Sequence, residues 1–463
     1  SCAKPLHSCF QPFFSRPESP PMSRIAALIV TALCAAAAAL FLYDKGRATP
    51  LADGVSDKVA CVSYAPFNKD QTPFNEDLVI PRAQIEKDLK ALSAFTGCVR
   101  TYSVDQGLHV VPEIAESLGM QVYLGAWIGR KDEKNQAEIA RLIKAANAHP
   151  KAIRGLIVGN EVLLRGEQAP AGLARYIAQL RAGLAQPLPI TYADVWEFWI
   201  KAPELADSVD FVTIHLLPYW EDLPTPIDGA IRHVMTVWKE VSTAFSTKPI
   251  LIGEVGWPSE GRRREGAEPS LRNQTRFVRE FMAAAEAAGA TYNLIEAFDQ
   301  PWKRAMEGTV GGAWGFFDTD RGEKVFTKGP VVEWPDAALW TGLAAVFALL
   351  PLAWALLRRE AKDAATAAIL AFGGWGAGTA LSLQARHMTV ASRYIEEWAI
   401  NGGWLALSTV GAWLLVRALA GLPVPVVPLP RGHALSLPML RFAALVGMAI
   451  STLGLLFNAR YRD

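Results

Sequence analysis

The sequence predicts a (β/α)8 TIM barrel flanked by an N-terminal transmembrane helix and a C-terminal bundle of about four transmembrane helices. Three observations predict it: a charge-free apolar run at 25–43, a middle segment where short β-rich runs alternate with helical periodicity, and a crowding of the other long apolar runs after Trp334. The expected division is 1–21, an extension; 22–57, a transmembrane anchor and linker; 58–333, the barrel; and 334–463, a membrane domain. A chain of 463 residues exceeds the usual single-domain size, and a formal net charge of +1 gives no basic footprint, which argues against a nucleic-acid partner.

Residues 1–21 are rich in Pro and Ser and precede Met22, so they are expected to be a disordered tail or an extension upstream of the start. The run at 25–43 follows Arg24 and is long enough to cross a bilayer as a helix. It reads either as a retained anchor or as a cleaved signal peptide. The sequence Arg47-Ala48-Thr49-Pro50 lacks a small-x-small cleavage site and favours the anchor. Both readings export the middle segment.

From Val59 to Phe317 eight runs read as parallel strands: 59–64, 98–102, 121–127, 155–159, 190–193, 211–215, 250–253 and 292–298. Helices fit between them, and 137–148 and 276–288 carry apolar residues at three- and four-residue spacing. An open doubly wound sheet is the alternative, but Tyr64-Ala65-Pro66-Phe67 stands where its Gly-rich phosphate loop would be. Cys61 and Cys98 fall in neighbouring strands and read either as a disulfide in an oxidising compartment or as two buried thiols. Further spans are expected near 337–357, 364–383, 402–420 and 442–458. With the amino terminus inside, the Arg358–Lys362 link and the link carrying Arg431 also lie inside, and Arg386 and Arg393 lie outside.

In such a barrel the active site gathers at the carboxyl ends of the strands, so polar residues that terminate apolar runs are the informative ones. Here these are Tyr64, Arg100-Thr101-Tyr102, Asn160-Glu161, Tyr192 and Asp194, His215, Glu254 and Glu296. A lone His or Tyr at a strand end is usually a hydrogen-bonded core residue, and convergence on one rim is what gives these weight. Two carboxylates on different strands facing one cleft are what glycosidic cleavage requires, one to protonate the leaving oxygen and one to attack or stabilise the anomeric carbon. Glu161 and Glu254 meet that description, although either could instead be an ion-pair partner of Arg100 or Arg165.

The runs Ile157-Val158-Gly159-Asn160-Glu161-Val162 and Leu251-Ile252-Gly253-Glu254-Val255-Gly256-Trp257-Pro258-Ser259 resemble the two signature strands of glycoside hydrolase family 17. The similarity extends over Val62-Ser63-Tyr64, Val99-Arg100-Thr101-Tyr102-Ser103 and the segment from Asn293 to Lys303, and resembles the bacterial membrane-anchored branch in particular. Val255 stands where plant members carry Asn, which departs from the plant pattern without touching the nucleophile. The resemblance implies a retaining β-1,3-glucanase or β-1,3-glucanosyltransferase with Glu161 as general acid/base and Glu254 as nucleophile, and the spacing of a retaining pair is about 5 to 5.5 Å. The acid's surroundings are expected to raise its pKa, and Arg100 and Tyr102 to keep Glu254 charged. Asn160 is expected on the sugar 2-hydroxyl.

Substrate contacts are expected at Tyr64, Arg100, Tyr102, Asn160, Tyr192, Asp194, His215, Trp257, Glu296, Trp302 and Lys303, with Trp257 and Trp302 as flat platforms for sugar rings. The run Arg262-Arg263-Arg264 reads most simply as a solvated loop, with an acceptor-subsite lining on the cleft rim as the alternative. No HExxH, CxxC or GxSxG occurs, and neither a metal nor a cofactor is expected. The expected partners are β-glucan, the lipid bilayer of the inner membrane and a membrane glucan synthase, with the catalytic domain periplasmic or extracellular. Hydrolysis and transfer share every catalytic residue and stay open; the alternative is a non-catalytic membrane-anchored glucan-binding protein.

Overall fold

Eight short parallel strands close on one another in sequence order, so each βαβ step returns beside the strand it left. The computed structural model describes residues 23–325 and 327–423; the extension 1–21 and the expected span at 442–458 lie outside the described residues. In chain order the elements are α1 (Arg24–Gly46), β1 (Ala48–Thr49), β2 (Val62–Ser63), α2 (Arg82–Phe95), β3 (Cys98–Arg100), α3 (Val111–Ser117), β4 (Gln121–Ala126), α4 (Asp132–Ala148), β5 (Ile153–Asn160), α5 (Pro170–Gly183) and β6 (Ile190–Val195). They continue as α6 (Trp196–Lys201), β7 (Val212–Leu216), α7 (Ile227–Ala244), β8 (Ile250–Val255), α8 (Leu271–Ala288), β9 (Thr291–Leu294), α9 (Arg304–Glu307), β10 (Val331–Val332), α10 (Ala337–Leu357), α11 (Ala364–Ala391) and α12 (Ile395–Leu419). Strands β2 to β9 form the closed barrel, one at each of the eight runs read from the sequence, and β1 pairs with β10 in a separate antiparallel ribbon.

Among the described residues the chain forms two compact units, one holding 45–336 with 386–402 and the other holding 23–44, 337–385 and 403–423. In the first unit alternation along each strand sets two layers. Val62, Val99 and Ile252 face the helices, whereas Cys61, Cys98, Tyr123, Ile157, Ala193 and Leu251 form a small cluster inside the ring. Cys61 and Cys98 are joined by a disulfide within that cluster, which settles the two readings left open by the sequence. Helix α8 shows the local code plainly. Ser270 caps its start by accepting from the Asn273 N–H at 3.1 Å, and Gly289 ends it in the left-handed region at φ 67°.

In the second unit α1, α10, α11 and α12 are each long and apolar enough to cross a membrane. Close helix contact comes from small residues: a Cβ on Gly374 or Gly378 would lie 2.7 Å or 2.3 Å from the carbonyl oxygens of Ala348 and Ala344, and Ser382 donates to the Trp340 carbonyl at 2.6 Å. Helix α12 starts before the expected residue 402, because Glu396 and Glu397 in its first turn interrupt the apolar pattern yet suit the positive end of a helix. Arg24 pairs with Asp363, and Arg417 with Glu360, at the same end of this unit.

Candidate active site

Strict alternation from the inward-facing Leu251 would turn Glu254 out towards the helices. The β7–β8 and β8–β9 ladders both shift register here, between Ile214 and His215 and between Ile252 and Val255, and the shift re-aims the carboxylate into the barrel mouth. There Arg100, fully buried on β3, donates to Glu254 Oε1 at 3.0 Å and to the Gly253 carbonyl at 2.8 Å, while its other arm donates to Asn160 Oδ1. Arg100 thus ties β5 and β8, the strands that lead to Glu161 and Glu254, together through charge-assisted bonds.

Glu161 leaves β5 through a turn with Gly159 at φ 88° and Glu161 itself at φ 52°. A Cβ at position 159 would lie 2.7 Å from Val162 Cγ2, so both the dihedral and the close approach demand glycine. A non-glycine residue held at positive φ at a candidate catalytic position is the kind of strain that a surrounding network must hold. Here that network is Tyr192 and Asp194: Leu163 N–H donates to the Tyr192 hydroxyl at 2.9 Å, and Leu163 and Leu164 N–H donate to Asp194 Oδ2 at 3.1 and 3.3 Å. Burial pushes the Asp194 carboxyl up to about 6 despite the Tyr192 hydroxyl bonded to it.

One carboxylate oxygen of Glu161, one of Glu254 and a ring nitrogen of His215 all lie within 4.8 Å of one another. The two carboxylates therefore face each other across the barrel mouth, the arrangement that glycosidic cleavage by a pair of carboxyl groups requires. His215 Nδ1 is 2.8 Å from Glu161 Oε1, and its Nε2 is 3.7 Å from Glu254 Oε1. Burial pushes the Glu161 carboxyl up, but the His215 contact and the Arg165 and Arg100 charges outweigh it and leave the group below the ordinary range. That is opposite to the elevation expected from the sequence. The reason is a bonded imidazole at 2.8 Å, which together with the Arg165 and Arg100 charges outweighs the cost of burial.

The eleven expected contact residues separate into two groups. Arg100, Asn160, His215, Glu296 and Lys303 gather around the two glutamates, with Lys303 Nζ 2.9 Å from both Glu296 oxygens. Tyr102 stands with them: its hydroxyl is buried with no hydrogen-bond partner among the described residues, and Arg100 lies 4.8 Å above its ring, so Arg100 alone makes the bond to Glu254 that was expected from both. Trp302 is half-buried, held by Gln300 at 2.8 Å and edge-on to Phe67 and Phe74.

The other four are corrected. Tyr64 faces the helix layer, its hydroxyl 3.2 Å from Asp88 of α2, because Ser63 takes the inward position on β2. Tyr192 and Asp194 are fully buried supports of the Glu161 turn. Trp257 is fully buried, donating to the Glu268 carbonyl at 3.0 Å and packing on Phe277, and so offers no platform.

Glu307 is a residue the sequence reading missed, since it lies on α9 beyond any strand end. Burial lifts its carboxyl to about 8; Lys303 opposes this, and Glu296, Glu161 and Glu254 add to it. Glu296 is lifted by burial to about 7. A carboxyl whose folded pKa exceeds its unfolded value keeps its proton only in the folded chain, so its contribution to stability is present at low pH and is lost as pH rises through the folded value. Glu307→Gln is therefore expected to lose less thermal stability than the wild type between pH 5 and about 8.5. An equal loss in both proteins, measured as midpoint against pH, would place the Glu307 ionisation elsewhere.

The barrel segment is similar to known proteins. Residues 61–315, more than half of the chain, match the BtgE/BtgC glycoside hydrolase domain. A glucan endo-1,3-beta-glucosidase btgC of Emericella nidulans is 26% identical over 283 residues, covering 54% of this chain and 42% of that protein. A glucan 1,3-beta-glucosidase of Arthroderma benhamiae is 28% identical over 263 residues, covering 52% of this chain and 83% of that one. The chain thus spans less than half the length of the first of these relatives. The crystal structure of a glycoside hydrolase family 17 beta-1,3-glucanosyltransferase from Rhizomucor miehei superposes with a TM-score of 0.50 at 28% identity, covering 58% of this chain and 97% of that one. An active-site mutant of the Rhizomucor enzyme was solved in complex with laminaritriose.

Proposed function

The chain belongs to the BtgE/BtgC glycoside hydrolase family, and from that membership and the paired glutamates we propose that it is a retaining β-1,3-glucan-active enzyme that remodels envelope or extracellular glucan by transglycosylation, with hydrolysis as the competing outcome. The observation that carries the reading is the approach of Glu161 and Glu254 to within 4.8 Å across the barrel mouth, with Arg100 fixing the second. Glu254 attacks the anomeric carbon and Glu161 protonates the departing oxygen. Glu161 then takes a proton from water or from a sugar hydroxyl as that oxygen displaces Glu254. His215 Nδ1, 2.8 Å from Glu161 Oε1, holds that carboxyl in position for the proton transfer. Asn160, whose Oδ1 is taken by Arg100, keeps its amide N–H2 for the sugar 2-hydroxyl.

The barrel acts outside the cytoplasm at the inner membrane. Support comes from the four apolar helices, from Arg24 on the amino side of the first, and from a disulfide that a reducing cytosol would not keep. A membrane glucan synthase is the source of chains that such a placement suits. Laminari-oligosaccharides added to intact spheroplasts should yield sugars longer than the substrate without permeabilisation, and the first products should carry the β-anomer by proton NMR. Shorter sugars alone would make the protein a hydrolase, no new sugars at all would reduce it to a binding protein, and activity only after permeabilisation would reverse the orientation.

A further inference from the structure

The run Arg262-Arg263-Arg264, expected as a solvated loop, is anchored at both ends. Arg264 donates to the Tyr219 carbonyl at 2.7 Å. Arg262 donates to the carbonyl of Ala391 at 2.7 Å and pairs with Glu397 at 3.4 Å. Ala391 and Glu397 belong to 386–402, the turn between α11 and α12 with its flanking helix ends, and this segment clusters with the barrel unit. Arg304, the first residue of α9, donates to the carbonyls of Val390 and Ser392 at 2.9 and 3.1 Å, and the Tyr394 hydroxyl donates to the Ala305 carbonyl at 3.1 Å. Val390, Ala391 and Ser392 are buried. Arg386 approaches Glu260 at 3.7 Å, and Glu397 accepts from the Arg393 N–H at 2.7 Å.

These contacts fall on two segments, the one that follows β8 with Glu254 and the one that follows β9 and Glu296, while Arg386 also lies 4.3 Å from the Trp334 ring. Both segments lie at the carboxyl end of the barrel, where such loops build the site. Arg304 adjoins Lys303, whose ammonium holds Glu296, and α9 carries Glu307 three residues on. The carbonyls capped by Arg262 and Arg304 belong to a helix end and a tight turn, where backbone acceptors have no partner within a helix.

Resting on the glucan-active reading above, we infer that the α11–α12 turn is part of the catalytic rim: Val390, Ala391 and Ser392, gripped by Arg262 and Arg304, position α9 and the segment after β8, and so set the placement of Lys303, Glu296 and Glu307 beside the two glutamates. Arg304 and Arg262 are positioning residues that act through these elements.

The test uses the full chain in detergent micelles, comparing wild type with Arg304→Ala, Arg304→Lys and Arg262→Ala/Arg304→Ala. Hydrogen exchange of peptides covering 259–265 and 301–311 reports docking without reference to activity, and kinetics on laminari-oligosaccharides report its effect. The double variant is expected to exchange at least about tenfold faster in both segments, equivalent to about 1.4 kcal/mol of lost local protection. It should also lose at least about tenfold in kcat/KM, with an altered pH profile because the Lys303, Glu296 and Glu307 group is no longer held. Arg304→Lys, which keeps the charge on a shorter side chain, should fall between. Unchanged exchange in both segments overturns the docking. Faster exchange with wild-type kinetics and pH profile overturns the positioning role and leaves a structural contact. If the wild type itself does not process β-1,3-glucan, the functional reading fails, while the exchange comparison still decides whether the turn holds the rim.

Discussion

Glu161→Gln and Glu254→Gln are each expected to lower turnover on laminari-oligosaccharides by at least about 10²-fold, the lower range for losing a positioned proton donor or a nucleophile. The two should differ in every other respect. Glu161 is about a quarter exposed and bonded to a histidine, so its amide replacement keeps an acceptor for His215 and should leave the unfolding midpoint near that of the wild type. Glu254 is buried against Arg100, and Gln there leaves the guanidinium without its counter-charge, so a lower midpoint is expected. Leaving-group dependence separates the roles further. A substrate with an aryl leaving group that needs no protonation should restore the first step in Glu161→Gln, seen as a burst of released aryl group before slow turnover, and give no burst in Glu254→Gln. Azide added to Glu254→Ala should yield the α-glycosyl azide, the product of attack from the emptied face. Wild-type turnover in either Gln variant would remove that residue from the mechanism.

The parts of this site that were legible in the sequence share one physical property: each lies at the point where an apolar strand gives way to a polar residue. That is how Arg100, Asn160, Glu161, His215, Glu254 and Glu296 could be placed on one rim before any coordinates. What the strand pattern could not give was facing. Tyr64, Tyr192, Asp194 and Trp257 also end or follow strands, yet each points into the helix layer or beneath a turn, because a shift of one residue exchanges the two faces of a strand. The register shifts beside Glu254 leave no mark in a single sequence, and without them alternation would have turned this glutamate away from the site. Glu307 and the buried partners of Arg262 and Arg304 were hidden for another reason. Their positions depend on contacts between segments far apart in the chain, with α9 meeting residues more than 80 positions later.

Arg100 is the residue whose loss should reach furthest into both fold and chemistry. Its side chain is 1% exposed and makes three bonds, to Glu254 Oε1, the Gly253 carbonyl and Asn160 Oδ1, on residues that are themselves shielded from solvent. Removing one partner of a buried ion pair leaves the other charge unpaired, which typically destabilises by about 3 to 5 kcal/mol. Arg100→Met, which keeps the volume, is expected to show a loss of that order in the unfolding of the barrel and to have turnover as low as Glu254→Gln. Arg100→Lys retains a charge but cannot reach Glu254 and Asn160 together, so it should recover more stability than activity. A double variant identifies the cause. If the unpaired carboxylate is what destabilises Arg100→Met, then Glu254→Gln should cost little or even stabilise in that background, although it destabilises the wild type. Additive losses would mean instead that Arg100 stabilises mainly through Gly253 and Asn160, and a loss below about 1 kcal/mol in Arg100→Met would show that the Arg100–Glu254 pair is not the tie between the two catalytic strands.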